Sequence, residues 1–226
     1  MKFPNTKAAV TSFALKMASV LLFFGSCAAK ATTVFQEDFS GATPGTYSGA
    51  IPGTNFTVTG GNIDIVGVLN GSFFTCVANP TGNCLDLIGN VGSGQITSTT
   101  GINLIAGHTY TISYTSILQG FPTGSSTPTS NYSVGLGSSV FSETSTPTVT
   151  PVSISFLEAT TQLDALLIFT SITNIDNVHG PVLSDITVTD TGAAVPLPAA
   201  LPLFVGGLGV LGVLGWRRKR KAAAAA

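Results

Sequence analysis

The basic residues of this chain are confined to its two ends. It has nine lysine and arginine residues, and all of them lie in segments 1–30 and 217–221. All ten carboxylates lie between these ends, so the segment 32–190, with no basic side chain, has a formal charge of −10 when histidine is neutral. Such a polyanion repels nucleic-acid phosphates and cannot release their counterions. The pattern argues against a nucleic-acid partner and leaves cations such as calcium as ligands that the segment could attract.

Residues 1–31 have the order of a secretory signal peptide. Three lysines precede an apolar core at 17–25 that is too short to span a membrane stably. Residues 29–31 are Ala-Lys-Ala, which fits the small-x-small rule for signal peptidase and predicts a mature chain that begins near Thr32. We therefore expect the secretion machinery and signal peptidase as partners. Lipidation at Cys27 is the alternative, although the preceding residues fit a lipoprotein signal poorly.

An uncharged stretch at 199–216 ends at a cluster of basic residues. A helix of this length would reach about 27 Å, roughly one hydrocarbon core. The positive-inside rule places the basic end in the cytoplasm and the acidic segment outside. We therefore predict a transmembrane helix at 199–216 and a basic cytoplasmic tail at 217–226. The membrane-stop cluster consists of Arg217, Arg218, Lys219, Arg220 and Lys221.

A proline-rich motif precedes this stretch. Together with the short glycine-rich apolar stretch and the basic end, the motif resembles the PEP-CTERM sorting signal in a Val-Pro-Leu-Pro-Ala variant. Its residues are Val195, Pro196, Leu197, Pro198 and Ala199. The resemblance covers about residues 195–221, and Leu197 stands where the family has the acidic residue of Pro-Glu-Pro. Because proline cannot donate a backbone hydrogen bond and keeps its predecessor extended, we expect an open linker at 191–198.

The resemblance implies a sorting route. In the PEP-CTERM family an exosortase, an integral membrane transpeptidase, recognises the proline motif and cleaves near it. This implies an exosortase-type partner and inner-membrane anchoring in transit through the C-terminal helix. The final location would be the cell surface or the extracellular matrix of a Gram-negative bacterium. An ordinary single-pass anchor without processing is the alternative.

Between Thr32 and Asp190 the hydrophobic pattern is that of short β-strands. Apolar residues alternate with serine and threonine at 110–115, and a similar alternation at 152–157 predicts a second strand with one buried face. Glycine, proline, asparagine and serine separate the runs, and no amphipathic helix is evident. We predict about nine or ten strands in an antiparallel β-sandwich over 32–190. Further apolar or alternating runs occur at 55–59, 62–68, 84–88, 95–99, 132–136, 163–170 and 182–189.

Three segments resemble the galactose-binding-like jelly roll of many carbohydrate-binding modules. They are 35–39, 104–114 and 180–188. The resemblance implies a sandwich whose first and last strands pair, with a structural calcium ion that bridges them. Glu37 or Asp38 with Asp185 would supply the carboxylate oxygens that calcium prefers. The alternative is that these carboxylates are solvated surface groups.

Cys76 and Cys84 flank a turn-forming stretch that contains asparagine, proline and glycine. In an exported protein such a pair is expected to form a disulfide. Two free thiols in a reducing compartment are the alternative. The spacing excludes a C-x2-C metal site.

The sequence has no recognisable catalytic motif. A G-x-S-x-G elbow and an H-E-x-x-H motif are absent, and a segment without lysine cannot complete a phosphate-binding loop. His108 and His179 are interpreted as turn or loop residues. A pair of carboxylates for glycoside hydrolysis would meet only in space, so a secreted glycan-active hydrolase stays open as the alternative function.

The main hypothesis is an exported, non-catalytic surface or matrix protein that contacts exopolysaccharide, with calcium as its one candidate cofactor. A purely structural or adhesive matrix component is a third hypothesis, suggested by the low charge and the many Ser and Thr residues. Polysaccharide binding would use aromatic stacking. The aromatic residues in turn-rich contexts are Tyr47, Phe73, Phe74, Phe121 and Tyr132, with core or simple loop positions as the alternative.

Overall fold

Strands are the only regular elements in the residues that the structure describes. The computed structural model describes residues 30–67, 76, 82–89, 92–118, 128–172 and 180–193. Within these ranges it has sixteen strands, and each pairing between them is antiparallel, as the sequence predicted. The strands are β1 (Thr32–Glu37), β2 (Gly45–Tyr47), β3 (Phe56–Gly60), β4 (Ile63–Val66), β5 (Cys84–Asp86), β6 (Ile88–Gly89), β7 (Gly92–Ser93), β8 (Gln95–Ser98), β9 (Ile102–Leu104), β10 (Thr109–Leu118), β11 (Ser130–Leu136), β12 (Ser139–Ser145), β13 (Thr150–Leu157), β14 (Gln162–Ala165), β15 (Leu167–Ser171) and β16 (Pro181–Asp190).

The described residues contain more strands than the about nine or ten predicted from the pattern. The runs at 84–88 and 163–170 each contain two strands, because Leu87 and Leu166 interrupt the pairing. Three further strands, β2, β7 and β9, have only two or three residues. A period of two cannot be recognised over so short a length.

Alternation decides which side chains enter the core. In β10, Tyr110, Ile112 and Tyr114 are buried, whereas the serine and threonine residues between them are partly exposed. In β13 the apolar positions 152, 154 and 156 are only half-buried. The difference arises because β13 is an edge strand with one neighbour, while β10 lies between β13 and β16.

Two large sheets form the folded unit. Sheet A has the order β13-β10-β16-β5-β4-β2, and β1 also pairs with β16. Sheet B has the order β12-β11-β15-β8-β3. Two short ribbons pair β9 with β14 and β6 with β7. The predicted antiparallel β-sandwich is therefore confirmed.

One apolar core contains side chains from both sheets. Phe56 of β3 packs edge-on against Phe35 of β1 and Phe169 of β15, with ring centroids 5.4 and 6.3 Å away, and stacks on Phe39 at 6.1 Å. Burial of one such ring contributes about 1.5–3 kcal/mol. Each favourable ring pair adds about 0.5–1.5 kcal/mol. Because Phe35 belongs to sheet A and Phe56 to sheet B, these contacts hold the two sheets together.

The first strand pairs with the last, as the jelly-roll resemblance implied. β1 lies along β16 from Thr32, opposite Asp190, to Glu37, opposite Ile186. On the other flank β10 pairs with nearly the whole of β16. Thr32 is thus the first residue of β1 and also the residue at which the mature chain was predicted to begin.

Lys30–Ala193 form one compact unit. In the part of the chain that the structure describes, no helix is both long and apolar enough to cross a membrane. The predicted sorting motif at 195–199, the helix at 199–216 and the tail at 217–226 lie outside the described residues, as does the predicted signal peptide up to residue 29. These four segments stay predictions.

Candidate functional site

Seven hydroxyl side chains and one amide form two rows on the outer face of sheet A. Because Tyr110, Ile112 and Tyr114 point into the core, the residues between them point away from it. The antiparallel register extends each row over β13, β10, β16 and β1. The first row is Ser155, Thr111, Thr189 and Thr33, and the second row is Ser153, Ser113, Thr187 and Gln36. We call these eight residues the hydroxyl face.

The hydroxyl face is accessible and carries no charge. All eight residues are exposed or partly exposed. Adjacent strands lie about 4.8 Å apart and alternate residues of one strand about 6.8 Å apart, which sets the spacing of the polar groups. Thr111 Oγ1 lies 2.8 Å from Ser155 Oγ, and the Thr187 hydroxyl donates to the Ser113 carbonyl at 3.4 Å. These two contacts orient hydroxyls within each row.

An exposed apolar side chain borders the first row. Leu157 follows Ser155 on the same face of β13, opposite Thr109, and is 68% exposed. Ligand sites typically combine apolar surface with a few hydrogen-bonding groups. The border between Leu157 and the first row has this combination.

His108 and Asp190 form a hydrogen-bonded pair at the end of β10 and β16, where Asp190 lies opposite Tyr110 and therefore on the side of sheet A that faces the core, not on the hydroxyl face. The His108 Nδ1 atom lies 3.0 Å from both carboxylate oxygens of Asp190, and the Gly192 N–H donates to the same carboxylate at 2.6 Å. Partial burial acts to raise the pKa of Asp190, but the hydrogen bonds from His108 and Gly192 outweigh it and lower this pKa. Asp190 is therefore ionised at neutral pH.

The predicted calcium ligands have protein partners instead of a common centre. Both oxygens of the buried Glu37 accept main-chain N–H groups, from Phe39 at 2.8 Å and Asn55 at 2.6 Å. The exposed Asp38 accepts the Ser40 N–H at 2.9 Å, and the exposed Asp185 accepts the hydroxyl of its neighbour Ser184 at 3.1 Å. Among the residues with described positions, no three His, Cys, Asp or Glu side chains are grouped to hold a metal ion. Calcium binding by these three residues stays a prediction, and Glu37 fits a structural role.

The structure brings together a carboxylate pair that the sequence did not indicate. Asp64 of β4 lies directly opposite Asp86 of β5. Asp86 is only 3% exposed. Glycoside hydrolysis needs two carboxylates that flank a bound sugar, with room for the substrate between them. A buried pair on neighbouring strands does not meet that requirement, so this pair does not favour the hydrolase alternative.

Cys76 and Cys84 are joined in a disulfide, as the sequence predicted, with Cα atoms 5.6 Å apart. Both residues are buried in an apolar cluster with Ile117 and Val182. This cluster lies on the outer side of sheet A, because Leu85, between Cys84 and Asp86, points into the main core. A disulfide is typical of proteins that fold in an oxidising compartment.

No protein-family model matches the sequence, and no curated protein matches it significantly. The solved structures that this chain matches at low similarity include two carbohydrate-binding modules. The CBM22-1 xylan-binding domain of Paenibacillus barcinonensis Xyn10C is 13% identical, with a TM-score of 0.43 over 74% of this chain and 100% of that one. The C-terminal CBM6 of Zobellia galactanivorans LamC is 14% identical, with a TM-score of 0.40 over 70% and 99%.

The CBM22-1-GH10 structure of Clostridium thermocellum endo-1,4-beta-D-xylanase 10B is 17% identical, with a TM-score of 0.44. The match covers 74% of this chain but only 30% of that longer protein. At identities of 13–17% and TM-scores of 0.40–0.44, these similarities assign neither a family nor a ligand to this chain.

The aromatic residues proposed for stacking divide into three groups. Tyr132 is fully buried and its hydroxyl donates to that of Tyr114 at 3.1 Å, so its candidacy as a ligand-binding residue is wrong. Tyr47 is half-buried, packs against the core, and donates to the Thr43 carbonyl at 2.7 Å. Phe73, Phe74 and Phe121 lie outside the described residues. The hydroxyl face was not predicted, although the serine and threonine alternation within 110–115 and 152–157 was its visible signal.

Proposed function

We propose that this chain is an exported cell-surface or extracellular-matrix protein, sorted by a PEP-CTERM-type signal, whose jelly-roll-like β-sandwich binds neutral polysaccharide without catalysis. The hydroxyl face of sheet A would be the binding surface. The observation that carries this proposal is the two uncharged rows of hydrogen-bonding side chains across four strands.

A neutral polysaccharide matches the chemistry of this face. Sugar hydroxyls both donate and accept hydrogen bonds, as Ser and Thr hydroxyls and the Gln amide do. A strongly charged partner would find no opposite charge among the eight residues. A single hydrogen bond contributes about 1 kcal/mol, and binding must first offset the lost freedom of the partners. Useful affinity would therefore need several sugar units in contact with both rows at once.

Two features support export. The compact unit Lys30–Ala193 lies in the sequence between the predicted signal peptide and the predicted sorting motif, which is the arrangement expected of an exported domain. The Cys76–Cys84 disulfide fits folding outside the cytosol. Exosortase would act on the proline motif beyond Ala193, just outside the membrane.

The binding proposal is tested by removal of two hydroxyls from the centre of the face. Thr187→Val and Thr189→Val keep the shape and strand preference of the side chains but lose both hydroxyls. We expect the double variant to bind neutral polysaccharides about 10–30-fold more weakly in affinity gel electrophoresis. The matched control is Thr57→Val with Thr170→Val, two partly exposed threonines on the outer face of sheet B.

The control variant should bind as the wild type does. If the two double variants lose affinity equally, the hydroxyl face is not the binding surface. If the wild type is retained by no polysaccharide, including the exopolysaccharide of the producing cell, the binding function itself is refuted.

Sorting is tested separately by mass spectrometry of the chain from cells and medium. The wild type should begin near Thr32 and end near the proline motif. A variant with Pro196→Ala and Pro198→Ala should keep its C-terminal segment and stay with the membrane fraction. Recovery of the native chain from the cytosol with both ends intact would contradict the proposed sorting.

A further inference from the structure

Asp64 and Asp86 face each other across β4 and β5. Asp86 is almost fully buried and Asp64 is half-buried. Directly opposed residues of an antiparallel pair have Cβ atoms about 4.5–5.5 Å apart, and like charges at that distance are destabilising. Two ionised carboxylates at this place would therefore repel each other with little screening by water.

The surroundings of Asp86 provide no compensating positive charge in the described residues. On the side opposite β4, β16 places Val182 in register with it, and Val182 belongs to the apolar cluster around the disulfide. Asp86 Oδ1 accepts the Ile88 N–H at 2.9 Å. No lysine or arginine occurs in the sequence between Lys30 and Arg217. A buried carboxylate without a cation partner is costly, and it tends to take up a proton instead.

Asp64 Oδ1 is buried and has no hydrogen-bond partner among the described residues. An ionised carboxylate is only an acceptor, whereas a protonated carboxyl also has one O–H donor. A proton on Asp86 would supply the donor that Asp64 Oδ1 lacks. Burial is the main cause that raises the pKa of Asp86 well above its usual value. The Ile88 N–H opposes this rise in pKa, and the charge of Asp64 adds to it.

We propose that Asp64 and Asp86 share one proton at neutral pH, donated by the Asp86 carboxyl to Asp64 Oδ1, and that this acid pair makes the β-sandwich more stable in mild acid than in alkali. Loss of the proton leaves two like charges at the contact between β4 and β5. These strands join the edge strand β2 to the centre of sheet A. The pair is a pH-sensitive contact within that sheet.

The described residues around Asp86 bring only one other titratable group to it. The neighbouring side chains are Asp64 of β4, Ile88 of β6 and Val182 of β16. Cys84, on the same face, does not titrate because it is in the disulfide. His179 lies outside the described residues but precedes Gly180, where an added Cβ would come within 2.8 Å of Asp86 Oδ1. Its titration therefore needs a separate control.

The sign of the pH dependence follows from proton binding. A carboxyl whose pKa is higher in the folded chain than in the unfolded chain binds more protons when folded. The contribution of Asp86 to stability is then greatest below the unfolded aspartate pKa, about 3.9, and falls as the pH rises from there through the folded pKa of Asp86. Asp86→Asn removes this titration, while its amide can still donate to Asp64 and accept from Ile88.

The first experiment compares denaturant midpoints of the full chain, wild type and Asp86→Asn, between about pH 4 and about pH 9. The wild-type midpoint should fall steadily relative to that of the variant as the pH rises. Asp38→Asn is the matched control, because Asp38 is exposed and the Ser40 hydrogen bonds lower its pKa. Its curve should run parallel to the wild type above about pH 5. His179→Gln should keep the wild-type slope.

A second measurement covers the case in which Asp86→Asn does not fold. Carbon-13 NMR of the side-chain carboxyls in the wild-type full chain should show one aspartate that titrates well above the others. In Asp64→Asn this titration should move to lower pH, because the neighbouring charge is gone. The proposal is overturned if all carboxyls titrate in the ordinary acid range, or if wild type and Asp86→Asn respond identically to pH.

Discussion

Removal of the disulfide tests both the fold and the proposed export. Cys76 and Cys84 are 8 positions apart. The bridge therefore closes a loop of about nine residues, for which the chain-entropy relation gives a stabilisation of about 2.5 kcal/mol at 25 °C. This is about 70-fold in the ratio of folded to unfolded chain. Both cysteines are buried in an apolar cluster, so reduction leaves their packing in place and removes chiefly the cross-link.

The assay is guanidinium unfolding of the exported chain with and without a thiol reductant, which keeps the sequence constant. Reduction should lower the free energy of unfolding by about 2.5 kcal/mol. Cys76→Ala with Cys84→Ala should lose more than this, because two buried sulfurs also leave the cluster, and it should not respond to reductant. Identical stability of the oxidised and reduced chains would refute the reasoning.

Thiol alkylation connects the disulfide with the location of the chain. The full sequence has three cysteines, of which Cys27 lies in the predicted signal peptide. An exported chain cleaved near Thr32 should show no reactive thiol, because the two that remain are paired. A chain kept in the reducing cytosol should show three when it is alkylated in denaturant, which exposes the buried Cys76 and Cys84. Three reactive thiols under these conditions would contradict the proposed export.

Two further predictions concern the core and the acid side of the stability curve. Phe56→Ala should lower the free energy of unfolding by about 3–5 kcal/mol in chemical denaturation, because a buried ring with three ring contacts leaves a cavity. Asp190→Asn should make the midpoint of thermal unfolding less dependent on pH in the acid range. Partial burial acts to raise the pKa of Asp190, but the hydrogen bonds from His108 and Gly192 outweigh it and lower this pKa. The stability that this carboxylate contributes is present above the unfolded aspartate pKa, about 3.9, and is lost as the pH falls through its folded pKa. If the variant and the wild type lose stability equally as the pH falls, the pair with His108 contributes nothing to stability.

Local alternation predicted strands such as β10, whose inward positions are large and apolar. β12 was missed because its core-facing positions include Ser139, Phe141 and Glu143, of which only one is apolar. The strand forms because β11 and β12 are joined by a two-residue turn at Gly137, which has a φ of 60°. β12 is therefore held in place by its pairing with β11 and not by a continuous apolar face. The same alternation in β11 places Tyr132 with Val134 and Leu136 in the core, and this pattern was already visible in the sequence.

The two pairs of titratable side chains could not be predicted, because they depend on which strands become neighbours. His108 and Asp190 are 82 positions apart, and Asp64 meets Asp86 only through the register of β4 and β5. Each run was recognisable as a strand or turn, but a shift of register by one residue would turn every side chain to the other face. Composition showed that the acidic segment lacks lysine and arginine. Only the fold shows which carboxylates are buried without such a cationic partner.

The register of β1 gives the proposed signal cleavage a structural consequence. Thr32 lies opposite Asp190, whose carboxylate is held ionised by its hydrogen bonds. Cleavage after Ala31 would create an α-ammonium group on Thr32, in a segment, 32–190, that has no lysine or arginine. An exposed ion pair contributes at most about 1 kcal/mol, so the cleavage would change stability little. The step that removes the signal peptide would nevertheless give the acidic β-sandwich its one cation besides histidine, at the point where its first and last strands meet.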